Sequence, residues 1–202
     1  MRTSVLVLWI GVCAVLAGCS VQPAPAKVSF LLTVESGGKL PTMSQGCLRL
    51  RSVQVQSPFS GIALVYRTGE VTFEKDYYNQ FLVAPDKQLN DLLKQRLLEG
   101  GVMFCVDTMD TAQQRLTLEP HLQALYTDFR TPAVPLAYIK MRFVLIRYDR
   151  SCRCSSILLD QTMQSAVSLP KKPAAKDVVE GMSEALSNVL ADFETALAQT
   201  LK

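Results

Sequence analysis

The residues of this chain whose types and spacing could support chemistry are its six cysteines and its single histidine. Cys152 and Cys154 stand two positions apart, and His121 is the only imidazole. Zinc sites draw their ligands from C-x-x-C or H-x-x-x-H spacings, which are absent here, so we expect no metal and no bound cofactor. The G-x-S-x-G, H-E-x-x-H, G-x-G-x-x-G and P-loop patterns are absent too. We therefore expect no catalytic residue and no enzymatic activity.

The N-terminal segment has the features of an export signal. Arg2 precedes an apolar run from Val5 to Leu16. That run is shorter than the roughly 20 residues of a bilayer-spanning helix and fits the h-region of a secretory signal. It ends in L-A-G-C at residues 16–19, which resembles a bacterial lipobox. We predict a lipoprotein signal peptide over residues 1–18, lipidation of Cys19 and a proline-bearing tether over residues 19–27. A plain signal peptide with a chance cysteine is the alternative.

The predicted lipidation fixes a compartment. Covalent diacylglycerol and acyl chains such as palmitate on Cys19 would anchor the chain stably, because several acyl chains hold a bilayer where one does not. Ser20 follows the lipidated residue, and by resemblance to enterobacterial lipoprotein sorting the absence of Asp there favours the outer membrane over the inner membrane. We therefore predict a lipid-anchored protein on the periplasmic face of the outer membrane.

Four cysteines remain after the signal and the lipidated position, and the periplasm permits disulfides. The candidates are Cys47, Cys105, Cys152 and Cys154, which allow three pairings. Cys152 and Cys154 would point the same way on a strand, so we expect strain in a bond between them. Pairing of each with a distant partner is the expectation.

Composition places the chain among globular domains. Hydrophobic residues make up 49% and charged residues 19%, with a formal net charge of +3. This balance excludes intrinsic disorder and argues against a dedicated nucleic-acid binder, which needs a concentrated basic surface. One domain, over residues 28–202, is expected at this length.

Periodicity predicts the elements that must position any site. Two amphipathic helices are expected, one from Pro85 to Gly100–Gly101 and one that Asp177 caps. Alternating runs predict strands over residues 27–35, 48–56 with a bulge, 62–67, 70–81, 102–107, 116–126, 136–148 and 157–169. The last three strands read as an antiparallel meander with one packed face and one solvated face. We therefore predict an α+β fold, a mostly antiparallel sheet packed by the two helices.

One stretch, residues 65–97, carries a more specific signal. It contains an R-T-G turn (Arg67, Thr68, Gly69) and a strand that ends in aromatic residues (Tyr77, Tyr78, Phe81), and a helix follows. This order resembles the auxiliary lipoprotein component of ABC-type transport systems, the group that includes the lipoproteins of the paraquat-inducible (Pqi) system. Family members often have Trp where this chain has Phe81.

The resemblance implies a role and partners. Such lipoproteins accompany an ABC ATPase, a permease and an MCE-domain protein that moves lipid between the inner and outer membranes. It implies that this chain docks the MCE component and contacts phospholipid, with the six residues of the R-T-G turn and the aromatic strand end as a candidate partner surface. Homo-oligomers are compatible with it. A structural or assembly lipoprotein, pilotin-like or an envelope scaffold, and a free-standing lipid-binding module are the alternatives.

Overall fold

The computed structural model describes residues 26–35, 47–100, 103, 105–107 and 116–201. The predicted signal peptide, Cys19, most of the tether and residues 36–46 lie outside these ranges. The strands are β1 Val28–Phe30, β2 Cys47–Leu50, β3 Gln54–Val55, β4 Ala63–Arg67, β5 Phe73–Phe81, β6 Cys105–Asp107, β7 Leu116–Asp128, β8 Leu136–Asp149 and β9 Cys154–Ser168. The helices are α1 Pro85–Glu99 and α2 Ala175–Thr200, and a short 3-10 helix spans Ser57–Phe59.

The nine strands form one sheet built around β7. On one side of β7, three strands pair with successive parts of it: β2, β3 and β4. Beside β4 lie β5 and then β1, and beside β2 lies β6. On the other side β8 and then β9 pair with β7 as the predicted antiparallel meander. The α+β class is confirmed.

The strand directions add one feature to that prediction. Five of the eight strand pairings among the described residues are parallel: β1 with β5, β2 with β6, and β7 with each of β2, β3 and β4. Parallel neighbours need long connections, and the connection from β4 to β7 includes β5 and α1. The sheet is therefore partly parallel, whereas its longest pairings, β7 with β8 and β8 with β9, are antiparallel as predicted.

Both helices cover the same face of the sheet, and on the other face the 3-10 helix packs Phe59 against Tyr126 while much of β8 and β9 is solvated. Inward-pointing β8 residues such as Ile139 and Phe143 are fully buried, and the Phe143 ring stacks on Phe193 of α2 with centroids 4.0 Å apart. On the open face the alternate residues are polar: Tyr138 donates to Gln164, and Arg142 forms an ion pair with Asp160. One face is therefore packed and one solvated, as the alternation predicts.

The helix boundaries follow local signals. Helix α1 begins at Pro85, where the missing N–H removes no hydrogen bond because the first helical N–H groups have no partner within the helix. Its apolar face buries Leu89, Leu93 and Leu97. Helix α2 begins at Ala175, two residues before the predicted cap. Asp177 is therefore the third residue of the helix, where its carboxylate accepts a hydrogen bond from the Ala174 N–H at 2.8 Å. This contact is the reciprocal half of a capping box.

The chain after β1 leaves the sheet instead of extending the predicted strand to residue 35. The Leu32 N–H donates to Gln88 Oε1 on α1, and the Thr33 and Glu35 N–H groups donate to the hydroxyls of Ser183 and Ser187 on α2. These two serines are one helical turn apart and therefore lie on one face of α2. Residues 31–35 thus form a strap that crosses both helices.

Candidate functional site

The R-T-G turn closes the β4–β5 hairpin and is held by its own side chains. The Thr68 and Gly69 N–H groups donate to Thr72 O, and Thr68 Oγ1 donates to Glu74. Gly69 does not adopt the left-handed backbone that glycine often supplies in turns. A Cβ at Gly69 would lie 3.0 Å from Thr72 Oγ1, so a small residue is needed there by close approach.

Arg67 secures this turn to the rest of the molecule. Its guanidinium donates to the backbone carbonyls of Gly69 and Glu70 and lies 5.6 Å from the Phe73 ring centroid and 6.0 Å from that of Tyr126. Only 20% of the side chain is exposed. The donors of Arg67 are therefore used within the fold, and Thr68 and Gly69 likewise shape the turn.

Ion pairs of Arg130 also anchor this turn. Arg130 donates to both carboxylate oxygens of Asp128 and to Glu70 Oε1 at 2.8 Å. The hydrogen bonds from Arg130 hold the pKa of Asp128 below its usual range, and those same carboxylates raise the pKa of Arg130. The hairpin turn and the β7–β8 connection are thereby held together at one end of the sheet.

The aromatic strand end divides into a buried part and an exposed part. Phe81 is 2% exposed and belongs to the core, so its inclusion in a partner surface is corrected. Tyr77 is 68% exposed and Tyr78 is 40% exposed, and their rings meet edge to face at 5.1 Å. Strand alternation alone places neighbouring side chains on opposite faces, so the joint exposure of Tyr77 and Tyr78 needs a local cause.

That cause is a bulge in β5 organised by Asp76. The register passes from Ala63 opposite Gln80 to Val65 opposite Lys75, which leaves three extra residues on β5. Asp76 Oδ1 accepts the N–H groups of Tyr78 and Asn79 at 2.8 and 2.9 Å, the geometry of an Asx turn. Bulges of this kind re-aim side chains at the edge of a sheet.

The second oxygen of the same carboxylate ties the bulge to β4. Asp76 Oδ2 accepts from the Asn79 side-chain amide at 2.9 Å and from the Tyr66 hydroxyl at 2.8 Å. Burial raises the pKa of Asp76, but the hydrogen bonds from Asn79, Tyr66 and Tyr78 outweigh it and hold that pKa below its usual range. The pKa of Tyr66 is raised, mainly by burial and in addition by its hydrogen bond to Asp76. The carboxylate is therefore the ionised centre of the bulge.

Exposed apolar side chains surround the two tyrosines. Val28 on β1 lies opposite Asn79, and the Leu82 N–H donates to Phe30 O, which places the start and end of β1 beside the C-terminal half of β5. We call this surface the tyrosine edge. Its members are all at least 40% exposed: Val28, Leu31, Tyr77, Tyr78, Leu82 and Val83.

The sequence reading missed four of these six members. Leu82 and Val83 follow the predicted strand over residues 70–81, and Val28 and Leu31 belong to the predicted strand over residues 27–35. The signal that remains visible in the sequence is the apolar triplet F-L-V at residues 81–83 directly before Pro85. Two of the six residues expected from the resemblance, Tyr77 and Tyr78, belong to the tyrosine edge.

The remaining chemical candidates do not form a reactive cluster. His121 lies on the open face opposite Arg142, whose guanidinium is bound to Asp160. Among the described residues, no group of three or more His, Cys, Asp or Glu is placed to hold a metal ion. No helix in the described ranges is long and apolar enough to cross a membrane.

The cysteine pairing differs from the expectation. Cys47 of β2 is bonded to Cys105 of β6, directly opposite in the parallel register, and Cys152 is bonded to Cys154. The expected extended path through residue 153 is absent, because Arg153 adopts a left-handed conformation with φ of 51° in the turn between β8 and β9. This turn brings the two half-cystines together, with Cα atoms 5.2 Å apart.

Comparison with known proteins identifies the fold. No family model and no curated protein matches the chain. The protein XCC0632 from Xanthomonas campestris, described as family-model DUF330, superposes with a TM-score of 0.72 at 14% identity over 86% of this chain and 96% of that one. An uncharacterized protein gives a TM-score of 0.64 at 14% identity over 88% and 99%. The hypothetical protein CT253 from Chlamydia trachomatis gives 0.55 at 7% identity over 78% and 98%.

These comparisons correct the family expected from residues 65–97. The structures that share the fold are described as a DUF330 protein and as uncharacterized or hypothetical proteins, and none of those descriptions supports membership in the Pqi-associated family. The residues that suggested it have local explanations: Arg67 and Gly69 shape a hairpin turn, and Phe81 fills the core. At these identities the likeness establishes the fold alone.

Proposed function

We propose that this chain is a lipid-anchored docking protein of the periplasm, and that the tyrosine edge binds another envelope protein beside the membrane. The carrying observation is the Asp76-centred bulge, which turns two neighbouring tyrosines outward within a patch of exposed apolar side chains. Tyrosine is enriched among the residues that dominate binding energy at protein interfaces. The proposal assigns no catalysis to the chain.

The position of the tyrosine edge supports membrane proximity. Lys27, at the end of the predicted tether, places its ammonium 4.3 Å from the centre of the Tyr77 ring. Lys27 lies eight positions after Cys19, a reach of at most about 29 Å. If Cys19 carries the predicted lipid, the tyrosine edge lies within that distance of the bilayer surface, where a partner at the membrane would meet it.

The partner that we propose is a component of a trans-envelope lipid transport system, with an MCE-domain protein as the first candidate. A docking role suits the fold better than a free-standing lipid carrier. The space between sheet and helices is filled by stacked rings such as Phe143 and Phe193. The groove of about 430 Å³ beside α2 is lined by polar side chains, including Glu35, Glu180 and Glu184, which do not suit an acyl chain.

The test is site-specific photo-cross-linking in the intact envelope. A photoreactive residue replaces Tyr78, and a matched control replaces Tyr148, which is 42% exposed on a distant hairpin. We expect the Tyr78 position, and not the Tyr148 position, to give an adduct with an MCE-domain protein. The Y77S/Y78S double substitution should abolish capture of that protein, and Tyr148→Ser should leave capture intact.

Other adducts would decide between the alternatives. Recovery of a secretin or another envelope machine at the Tyr78 position would reject the transport partner and favour an assembly lipoprotein. Adducts with bilayer lipid alone would reject protein docking. Separately, Cys19→Ser should release the chain from the membrane fraction, and retention of that variant there would contradict lipid anchoring.

A further inference from the structure

The Cys152–Cys154 disulfide lies at the exposed tip of the β8–β9 hairpin, remote in sequence from the tyrosine edge. Both half-cystines and every residue from Tyr148 to Ser156 are exposed. A thiol in solution therefore has direct access to the sulfur atoms. Exposed disulfides belong to the reducible, exchangeable class more often than buried ones do.

The second disulfide of the same chain provides an internal contrast. Cys47–Cys105 joins neighbouring strands of the sheet across a sequence separation of 58, and both residues are half-buried. Cys152–Cys154 closes a ring around one intervening residue. The stabilisation that a disulfide gives by restricting the unfolded chain grows with loop length, so Cys47–Cys105 gains much from it and Cys152–Cys154 gains little.

The hairpin does not need the Cys152–Cys154 bond to form. Strands β8 and β9 pair continuously from Asp149 opposite Cys154 to Leu136 opposite Ser168, with one register shift. In the turn, the Ser151 N–H and hydroxyl both donate to Asp149 Oδ1, at 2.8 and 2.7 Å. The Cys152–Cys154 bond is therefore not required to hold this hairpin together, which points to another role for the two cysteines.

The electrostatic surroundings favour thiolate chemistry. Arg150 and Arg153 stand beside the two cysteines in the chain, and Arg147 and Arg150 line a hollow of about 310 Å³ at the base of the turn. Asp149 is the only acidic residue between positions 147 and 154. Neighbouring positive charge stabilises a thiolate, which is both the attacking and the leaving species in thiol–disulfide exchange.

We propose that Cys152 and Cys154 form a thiol–disulfide exchange site that reacts with a dithiol protein of the envelope. A thiolate of the partner attacks one Sγ, a mixed disulfide forms, and the other Sγ leaves as a thiolate that takes a proton from water. The partner's second thiolate then breaks the mixed disulfide. The cysteine pair ends as two thiols and the partner as a disulfide, so two electrons pass to this chain. The reverse sequence reduces a disulfide of the partner to two thiols and re-forms the Cys152–Cys154 bond.

The first experiment equilibrates the full chain with graded ratios of reduced to oxidised dithiothreitol, followed by alkylation and peptide mass spectrometry. We expect Cys152–Cys154 to reach half-reduction at a ratio at least tenfold lower than Cys47–Cys105, a difference of about 30 mV. A smaller difference, or prior reduction of Cys47–Cys105, would overturn the proposal.

The second experiment separates an exchange site from a structural one. The C152S/C154S double substitution should lower the midpoint of thermal unfolding by less than about 4 °C, the size of a 1 kcal/mol effect in a chain of this length. C47S/C105S should lower it further. Equal losses from the two double substitutions would make Cys152–Cys154 a structural bond.

The third experiment addresses the arginines by measuring the rate of reduction with dithiothreitol at low salt. R150Q/R153Q should slow reduction of Cys152–Cys154 by about threefold or more, because it removes charge beside the leaving thiolate. K171Q/K172Q, which removes two exposed charges elsewhere, is the matched control and should leave the rate unchanged. Equal rates in the two variants would remove the electrostatic basis of the proposed site.

Discussion

Arg96 of α1 and Glu194 of α2 form a two-point ion pair inside the protein. The Nε–Oε1 and Nη2–Oε2 distances are 2.8 and 2.9 Å, and each side chain is 5% exposed. The third Arg96 nitrogen donates to Glu35 O, the last described residue of the strap. One buried guanidinium thus joins both helices and the strap above the sheet.

Loss of one partner of this ion pair should be costly. Glu194→Ala leaves a buried guanidinium without its carboxylate, so we expect a loss of about 3–5 kcal/mol in the free energy of unfolding. The R96M/E194M double substitution removes both charges and should recover most of that loss. Chemical denaturation of the three proteins tests this, and equal losses in the single and double variants would contradict it.

Asp76 should control the presentation of the tyrosine edge. Asp76→Ala removes an ionised acceptor of four hydrogen bonds, and we expect a loss of about 2 kcal/mol in the free energy of unfolding, with greater mobility of Tyr77 and Tyr78. Denaturation and backbone amide exchange measure the two effects. Unchanged exchange protection of Tyr78 and Asn79 would show that the bulge does not depend on the carboxylate.

The same carboxylate should give the fold an acid-dependent component. The pKa of Asp76 is lower in the folded chain than the value near 3.9 of an unfolded Asp. The stability it contributes is therefore fully present above about pH 4–5 and is lost as pH falls through the folded-state pKa. Asp76→Asn should flatten the acid limb of the stability–pH curve. Parallel acid limbs for Asp76→Asn and the parent protein would argue against this.

Phe81 and Tyr77, four positions apart on β5, should behave in opposite ways. Phe81→Ala leaves a cavity in the core and should cost about 3–5 kcal/mol of stability. Tyr77→Ser should change stability by no more than about 0.5 kcal/mol, and yet it should weaken partner capture. Thermal unfolding together with cross-linking yield separates the two roles. Full capture by Tyr77→Ser would remove Tyr77 from the interface.

At Gly181, α2 lies tightly against Leu169 and against Ala137 of β8. A Cβ there would lie 2.4 Å from Leu169 Cδ2 and 3.1 Å from Ala137 Cβ. Alanine raises helix propensity by about 1 kcal/mol, but overpacking costs about 1–3 kcal/mol, so Gly181→Ala should be net destabilising. A matched exposed site, Glu184→Ala, should be close to neutral. A stabilised Gly181→Ala variant would show that Leu169 moves aside freely.

The elements that the sequence predicts well depend on local signals. Pro85 starts α1 as expected, and the apolar stripe of α2 is buried as periodicity requires. The bulge predicted within the strand over residues 48–56 also corresponds to a real break after Leu50, between β2 and β3. Strand direction could not be predicted in this way. The parallel pairing of β4 with β7 depends on contacts between residues about sixty positions apart, which produce no periodic pattern in the sequence.

The candidate site was only half predictable for a similar reason. Exposure of Tyr78 follows from three extra residues in β5, and this bulge includes a contact between Asp76 and Tyr66 of the neighbouring strand. Binary patterning gives no sign of it. The Cys152–Cys154 bond was missed because Arg153 leaves the extended backbone, a conformation that non-glycine residues adopt infrequently.

The strap has a mechanical consequence for a chain tethered to a membrane. If Cys19 holds lipid, any pull from the bilayer enters the fold through Lys27 and β1, a strand of only three residues. After β1, the tension passes to the hydrogen bonds that the N–H groups of the strap donate to the side chains of Gln88, Ser183 and Ser187. It also passes to the strap carbonyl that accepts from Arg96. The two helices, rather than the sheet edge, therefore bear the tension after β1, and β1 can separate from β5 while the core remains intact.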